Sequence, residues 1–393
     1  MTSLARKNLF NDIPRFLVAQ AGIIFAVSLV TIQVGILQGF IRSTSLLVEK
    51  SKADIWISSE DFVSLDITAP ISYDRFTKAK QVQGVDQAEA IIFHNVLWRD
   101  ASKKITPATV IGIDPGGQLL SPGRLEKGTL AALNQPYTLI TDPLNLKALN
   151  LKQVGDQGII GSLEAKLVGL DEEIQSTAYN PFLLASLETA KAYANSPLGN
   201  RSDAVKSRAL SSLSDTDKIT YILVNAKPRQ DLQDLKKKLN AALPNTVAYT
   251  REEMIQQTQT YWVQRTSIVF ILGLGAIVGI VVGVVIVSQI LYAAVKDHLR
   301  EFGTLKAIGV ADRVTYAIVI EQALWMAVLG YIPSMALCLG LGTWTAATKG
   351  VIILITPITG AGVFAVTVMM CTASAMIAIQ KVTKADPAVV FKA

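Results

Sequence analysis

Residues 16–41, 266–295, 316–345 and 351–380 are four runs of almost unbroken apolar sequence. Each exceeds the roughly 20 residues a helix needs to cross a bilayer. In lipid the backbone must satisfy its own hydrogen bonds, so runs of this kind fold as helices. Half of all residues are hydrophobic and 17% are charged, which excludes a wholly soluble globular chain. A secretory leader has an apolar core of only about 7–15 residues followed by small residues. The first run is longer, and its Ala19-Gln20-Ala21 triplet lies at its start, so it reads as an uncleaved span.

The net charge of +6 raises nucleic acid as a partner, but the position of the charge decides against it. Arg6, Lys7 and Arg15 precede the first run, Lys296, Arg300, Lys306 and Arg313 separate the second from the third, and Lys381, Lys384 and Lys392 follow the fourth. Residues 42–265 are balanced, with 26 basic against 25 acidic side chains, so the excess flanks the spans. By the positive-inside rule, 1–15 (an amphipathic segment), 296–315 and the tail 381–393 are cytoplasmic. Residues 42–265 and the short turn 346–350 then lie outside. The expected fold is an α-helical membrane protein with four spans, both termini cytoplasmic, and a large α+β extracytoplasmic domain between the first and second. Both cysteines, Cys338 and Cys371, fall in spans, so that domain must fold on its own apolar core.

Within it, "ADIWISS", "AEAIIFHNVLWRD" and "KITPATVIGID" alternate as strands, and "SYDRFTKAKQV" has helical spacing. "KITYILVNAK", "RQDLQDLKKKLNAAL" and "NTVAYT" repeat the strand–helix–strand order near the end of the domain. Two such halves predict a split, ferredoxin-like layer. Residues 116–217, richer in Gly, Pro and Ser, read as an irregular inserted lobe. "TREE", from Thr250, has the pattern of a capping box. No Pro or Gly follows until Gly273, so one helix is expected from 251 to 295. At 1.5 Å per residue it would be about 65 Å long, against about 30 Å of hydrocarbon. About half would stand clear of the membrane as a stalk; the alternative is a helix ending at the headgroups. "IRSTSLLVEKSKA" continues the first span outward in the same way.

No catalytic constellation is legible. His94 and His298, the only histidines, fall on opposite sides of the membrane and cannot share a metal or a triad. No G-x-x-x-x-G-K-[ST] loop is present, so this chain has no P-loop and carries no expected cofactor. Gly275, Gly279 and Gly283 form a small-residue stripe that admits a neighbouring helix. Glu321, near the cytoplasmic end of its span, lacks a relay of partners and reads as a structural polar contact rather than a proton path. Between the second and third spans, Leu299, Phe302, Leu305 and Ile308 recur at helical spacing, and Gly309 ends the pattern. Such an amphipathic helix either lies on lipid or passes force from a soluble partner to the spans beside it.

The same residues carry a resemblance. "TLKAIG" after Arg300-Glu301-Phe302 resembles the coupling-helix signature of the FtsX/MacB-like permeases, membrane subunits of ABC transporters. More closely, "GIIFAVSLVTIQVG", "ADIWISS", Tyr261-Trp262, "VVGVVIVSQILY", "DHLREFGTLKAIG" and "ADPAVVF" resemble, in order, the cyanobacterial DevC-type permease subunits. The sequence departs from that pattern at Ser288, Ala293, Ala294, Phe302 and Gly303, which leaves the substrate open. The resemblance implies an inner-membrane permease acting as a homodimer with a separate ABC ATPase subunit that binds the ATP. It also implies an HlyD-like membrane-fusion adaptor and a TolC-like outer-membrane duct. His298, Arg300, Glu301, Phe302, Thr304, Leu305, Lys306 and Gly309 would contact or shape the ATPase interface. Export of a lipid-like or other hydrophobic substrate is the expected function. The alternatives are an FtsX-like subunit that regulates a periplasmic enzyme or partner, and a membrane-anchored enzyme.

Overall fold

The computed structural model describes residues 13–120, 123, 125–171, 178–196, 209–297 and 312–383. In chain order the labelled elements are α1 (Ile13–Lys50), β1 (Ile55–Ser59), β2 (Ile71–Ser72), α2 (Asp74–Ala79), β3 (Val85–Arg99), β4 (Ile105–Ile113), β5 (Leu125–Lys127) and β6 (Thr138–Thr141). Then come α3 (Leu146–Leu149), β7 (Gln157–Ile160), β8 (Leu163–Asp171), β9 (Phe182–Ser186), α4 (Leu187–Ala194), β10 (Lys218–Ile219), β11 (Tyr221–Ala226), α5 (Leu232–Ala242) and β12 (Thr246–Thr250). The last four are α6 (Arg251–Arg265), α7 (Ser267–Asp297), α8 (Asp312–Lys349) and α9 (Pro357–Thr383). Four candidate transmembrane helices, Phe16–Lys50, Ser267–Ala293, Tyr316–Thr348 and Pro357–Gln380, are long and apolar enough to span, and a large α/β domain lies between the first and second.

The chain divides into two compact units. One holds the spans; the other is Phe40–Arg265 with Thr348–Gly350. In the second unit, β12, β1, β11 and the first half of β3 pair antiparallel in that order. Numbered along the chain this is 4-1-3-2 with a helix after the first and third strands, the ferredoxin-like layer expected. Ile55, Ile57, Phe76, Ala79, Leu235 and Leu239 form its core on the helical side.

The segment read as an irregular lobe is instead built into the sheet. The second half of β3 pairs with β4, β4 with β9, β9 with β6, and β6 with β8. β7 pairs with both β8 and β3, closing a ring of six strands. Short strands of four or five residues gave too little alternation to be read from sequence. Closure removes their free edges, which is how such short strands persist.

Three helix boundaries also differ from expectation. The expected helix from 251 to 295 is interrupted: α6 ends at Arg265 and α7 begins at Ser267. The fourth span, expected from 351, starts at Pro357, and residues 351–356 are not helical. The expected turn at 346–350 is mostly helix, because α8 runs to Lys349. Gly350 then takes a φ of +68°, the left-handed conformation that ends helices. Thr356 caps α9 by accepting from the Thr359 amide at 3.1 Å, with Pro357 in the first helical position, where its missing N–H costs nothing.

Candidate functional site

α1 is 38 residues long, about 57 Å at 1.5 Å per residue. Its outer end, from Phe40, runs antiparallel to α6 within the second unit. Phe40 meets the Trp262 ring edge-on at 5.7 Å, Gln259 Nε2 donates to Ser45 Oγ at 2.8 Å, and Arg251 Nη1 donates to the Ser51 carbonyl at 3.4 Å. Both helices are anchored in the sheet. Leu47 and Val48 of α1 and Met254 of α6 are buried with Trp56 and Tyr221 on the face opposite the helical core. Trp56 Nε1 donates to Ser51 Oγ at 3.1 Å, just past the end of α1.

The capping box at the start of α6 closes as expected. The Glu253 amide donates to Thr250 Oγ1 at 3.3 Å, and Glu253 Oε2 accepts from the Thr250 amide at 2.9 Å. Burial works against the Glu253 carboxylate. Its bonds to Lys236 Nζ (2.7 Å) and to Thr250 outweigh that and hold its pKa below the usual value.

In the membrane unit α1 is the common partner. Extra carbons at Gly279 and Gly283 of α7 would lie 3.1 Å from Val30 Cγ2 and 2.9 Å from Ala26 Cβ, and one at Gly275 would lie 2.8 Å from the Gln33 amide nitrogen. The stripe therefore faces α1, and at Gly283 it also meets Met370 of α9. From the other side α8 approaches through Gly330, where an added carbon would lie 3.1 Å from Ile23 Cβ. Ser334 Oγ donates to the Ile24 carbonyl at 3.4 Å, and Cys338 Sγ to that of Ser28 at 3.7 Å. Gly330, Ser334 and Cys338 recur at every fourth residue, a small-residue spacing that the sequence reading did not single out. Glu321 makes no hydrogen bond or ion pair among the described residues, so the expected polar contact is not found there.

His298, Arg300, Glu301, Phe302, Thr304, Leu305, Lys306 and Gly309 lie outside the described residues, between the end of α7 and the start of α8. Among the described residues no three His, Cys, Asp or Glu side chains converge as metal ligands. What the described geometry assembles is mechanical: a 38-residue helix and a 15-residue helix joined side by side and locked into a β-sheet.

Tyr179, which no sequence pattern singled out, adds a further tie to this pair. Its hydroxyl donates to the Thr44 carbonyl of α1 at 2.8 Å, and its ring meets that of Trp262 of α6 at 5.8 Å, edge-on. Burial, with a smaller contribution from Asp66, raises its pKa, so the hydroxyl stays protonated and donating.

Residues 16–242 match the MacB-like periplasmic core domain, and residues 273–387 match the FtsX-like permease C-terminal family. Among solved structures, the periplasmic region of MacB from Actinobacillus actinomycetemcomitans is 13% identical, with a TM-score of 0.36 over 55% of this chain and 94% of that one. The extracellular domain of the noncanonic ABC-type transporter YknZ from Gram-positive bacteria is 11% identical, with a TM-score of 0.35 over 50% and 99%. A domain of a putative permease protein from Porphyromonas gingivalis is 11% identical, with a TM-score of 0.33 over 50% and 88%. Comparison with curated proteins gives no match.

Proposed function

Because this chain belongs to the family of FtsX-like permeases with a MacB-like periplasmic core domain, we propose that it is the membrane subunit of an ATP-driven exporter. Permeases of this family work with ABC ATPase partners. In the proposed cycle a partner ATPase binds and hydrolyses ATP, and its stroke enters through residues 296–315. Phe302 and Leu305 dock as apolar anchors, while His298, Arg300, Glu301, Thr304, Lys306 and Gly309 set register and shape. The chain itself performs no catalysis and holds no cofactor. It works as a homodimer in the inner membrane, with its large domain in the periplasm. There it drives a lipid-like or other hydrophobic substrate into an HlyD-like adaptor and a TolC-like duct.

The observation that carries this reading is the anchoring in one sheet of α1, which continues the first span, and of α6, which precedes the second. Leu47 and Val48 come from one and Met254 from the other, under the shared Trp56 and Tyr221. A displacement of either helix must move the sheet, because close-packed interiors deform little. The ordered resemblance to DevC-type permeases favours export over regulation of a periplasmic enzyme.

Comparing the compounds on each side of the cell envelope tests export. Strains would carry the intact chain, a deletion, or a partner ATPase unable to hydrolyse ATP. Export predicts one class of hydrophobic compound retained in the inner membrane in both defective strains. If no compound changes place and a periplasmic enzyme activity falls instead, the FtsX-like regulatory reading replaces it. Truncating Phe302 to Ala is expected to cost about 2 kcal/mol of ATPase binding as an interface hot spot, roughly a thirtyfold loss of affinity.

A further inference from the structure

Tyr179 lies in the segment that leads into β9, so it belongs to the ring of six strands rather than to the ferredoxin-like layer. Its ring stacks on Phe182 of β9 (5.7 Å, 27° between planes) and meets Phe93 of β3 edge-on at 6.3 Å. On its other side are the Thr44 carbonyl of α1 and the Trp262 ring of α6. One side chain therefore joins both helices to two strands of the ring. Elsewhere these helices are held to the ferredoxin-like sheet through Trp56, Tyr221 and the strand–helix junctions at Ser51 and Thr250, and Leu47, Val48 and Met254 share their apolar cluster with Ile111 and Ile113 of β4 and Leu184 of β9.

The ring stacking needs only an aromatic side chain, which phenylalanine would supply. The hydroxyl is a different matter: it is the atom that reaches α1, and its geometry fixes which turn of that helix the ring of strands rests on. We propose that Tyr179 is a positioning residue for force transmission, clasping α1 and α6 so that their motion reaches the six-stranded ring as well as the layer beneath. The proposal rests on the reading that the two helices relay ATPase strokes.

The test uses the full chain with its partner ATPase in nanodiscs, with spin labels at Thr260 on α6 and at Ala101 in the β3–β4 turn, both exposed. The wild type should show a label distance that shifts on trapping the ATP-bound state. In Tyr179→Phe the shift should broaden, with the unclasped share of the distribution rising about fivefold, the size expected for one lost buried hydrogen bond. ATP hydrolysis should stay within about twofold of wild type, since a population change of that size leaves the ATPase site untouched. Phe182→Leu is the control for packing alone: it should lower the melting temperature yet keep the nucleotide-dependent shift. A Tyr179→Phe distribution that shifts as sharply as wild type overturns the clasp. A wild type whose distance ignores nucleotide overturns the relay reading itself, and the clasp with it.

Discussion

The large domain and the membrane bundle both exclude solvent, but they fill their interiors with different side chains. The domain buries Trp56, Trp98 and Tyr221 almost completely, and each has its polar atom bonded: Trp56 Nε1 to Ser51 Oγ, Trp98 Nε1 to the Leu149 carbonyl at 2.9 Å, and the Tyr221 hydroxyl to the Leu65 carbonyl at 2.6 Å. The bundle buries Ala19, Ala26, Ala323, Ala327, Ala375 and Ala378. Among the described residues, buried side-chain oxygens without a hydrogen-bond partner occur in both units, at Gln20, Ser28 and Gln33 in the bundle and at Thr258 in the domain. The solvent explains the contrast. Against water, the burial of large apolar surfaces drives packing. In lipid the surroundings are already apolar, so helices associate through close approach and short polar contacts.

The contrast is broken most directly by Trp56→Ala. It should destabilise the large domain by about 4 kcal/mol, as large aromatic truncations do, read by urea unfolding with domain fluorescence. The helix content of the bundle should not change. A loss below about 1 kcal/mol would mean the domain does not depend on large buried rings as Trp→Ala series lead one to expect.

Gly283→Leu tests the other side. Its first added carbon would run into Met370 Sδ of α9 and lie 2.9 Å from Ala26 Cβ of α1, so helix packing should weaken by about 1–3 kcal/mol. Cross-linking between cysteines placed on α1 and α7 would show it, and unchanged cross-linking would deny the close approach.

Gln33→Leu sharpens the comparison by its sign. Removing an amide whose oxygen is unmet should leave the bundle unchanged or more stable by up to about 1 kcal/mol, measured by thermal unfolding in detergent. An equal change at a bonded polar group of the large domain should destabilise instead.

The smallest effect is acidic. Ser72 and Lys78 bond the Asp74 carboxylate and hold its pKa down to about 2, against an ordinary 3.8. Its contribution is therefore present above about pH 4 and is lost as the pH falls towards 2. The acid limb of domain stability should be shallower in Asp74→Asn over that range, and an unchanged limb would remove the contribution.

How much of this was legible depended on length and periodicity. β3 and β4 alternate over enough residues to be read, and the Thr250–Glu253 cap is visible as a four-residue word. β7 is four residues with a glycine inside it, and nothing in "QGII" says that it bridges two distant strands. Hydropathy found the fourth apolar run but not its start at Pro357, because "VIILIT" is as apolar extended as it is helical. The break at Thr266 has no Gly or Pro to announce it. Tyr179 acts through contacts with residues far away in sequence, which no local pattern encodes.

The sheet register also sets the order in which the large domain can be completed. Ile55 of β1 pairs with Val224 and Thr250, so the first strand made must wait for nearly the whole domain before either neighbour exists. At 5–20 residues per second the delay is roughly 10–30 s, and closing so long a loop adds an entropic barrier that slows folding. Throughout that interval "IWISS", wholly buried at the end, is an apolar strand with two open edges. The nascent domain is then most exposed to misassociation at its beginning, and a truncated product lacking β11 and β12 should aggregate through that strand rather than fold.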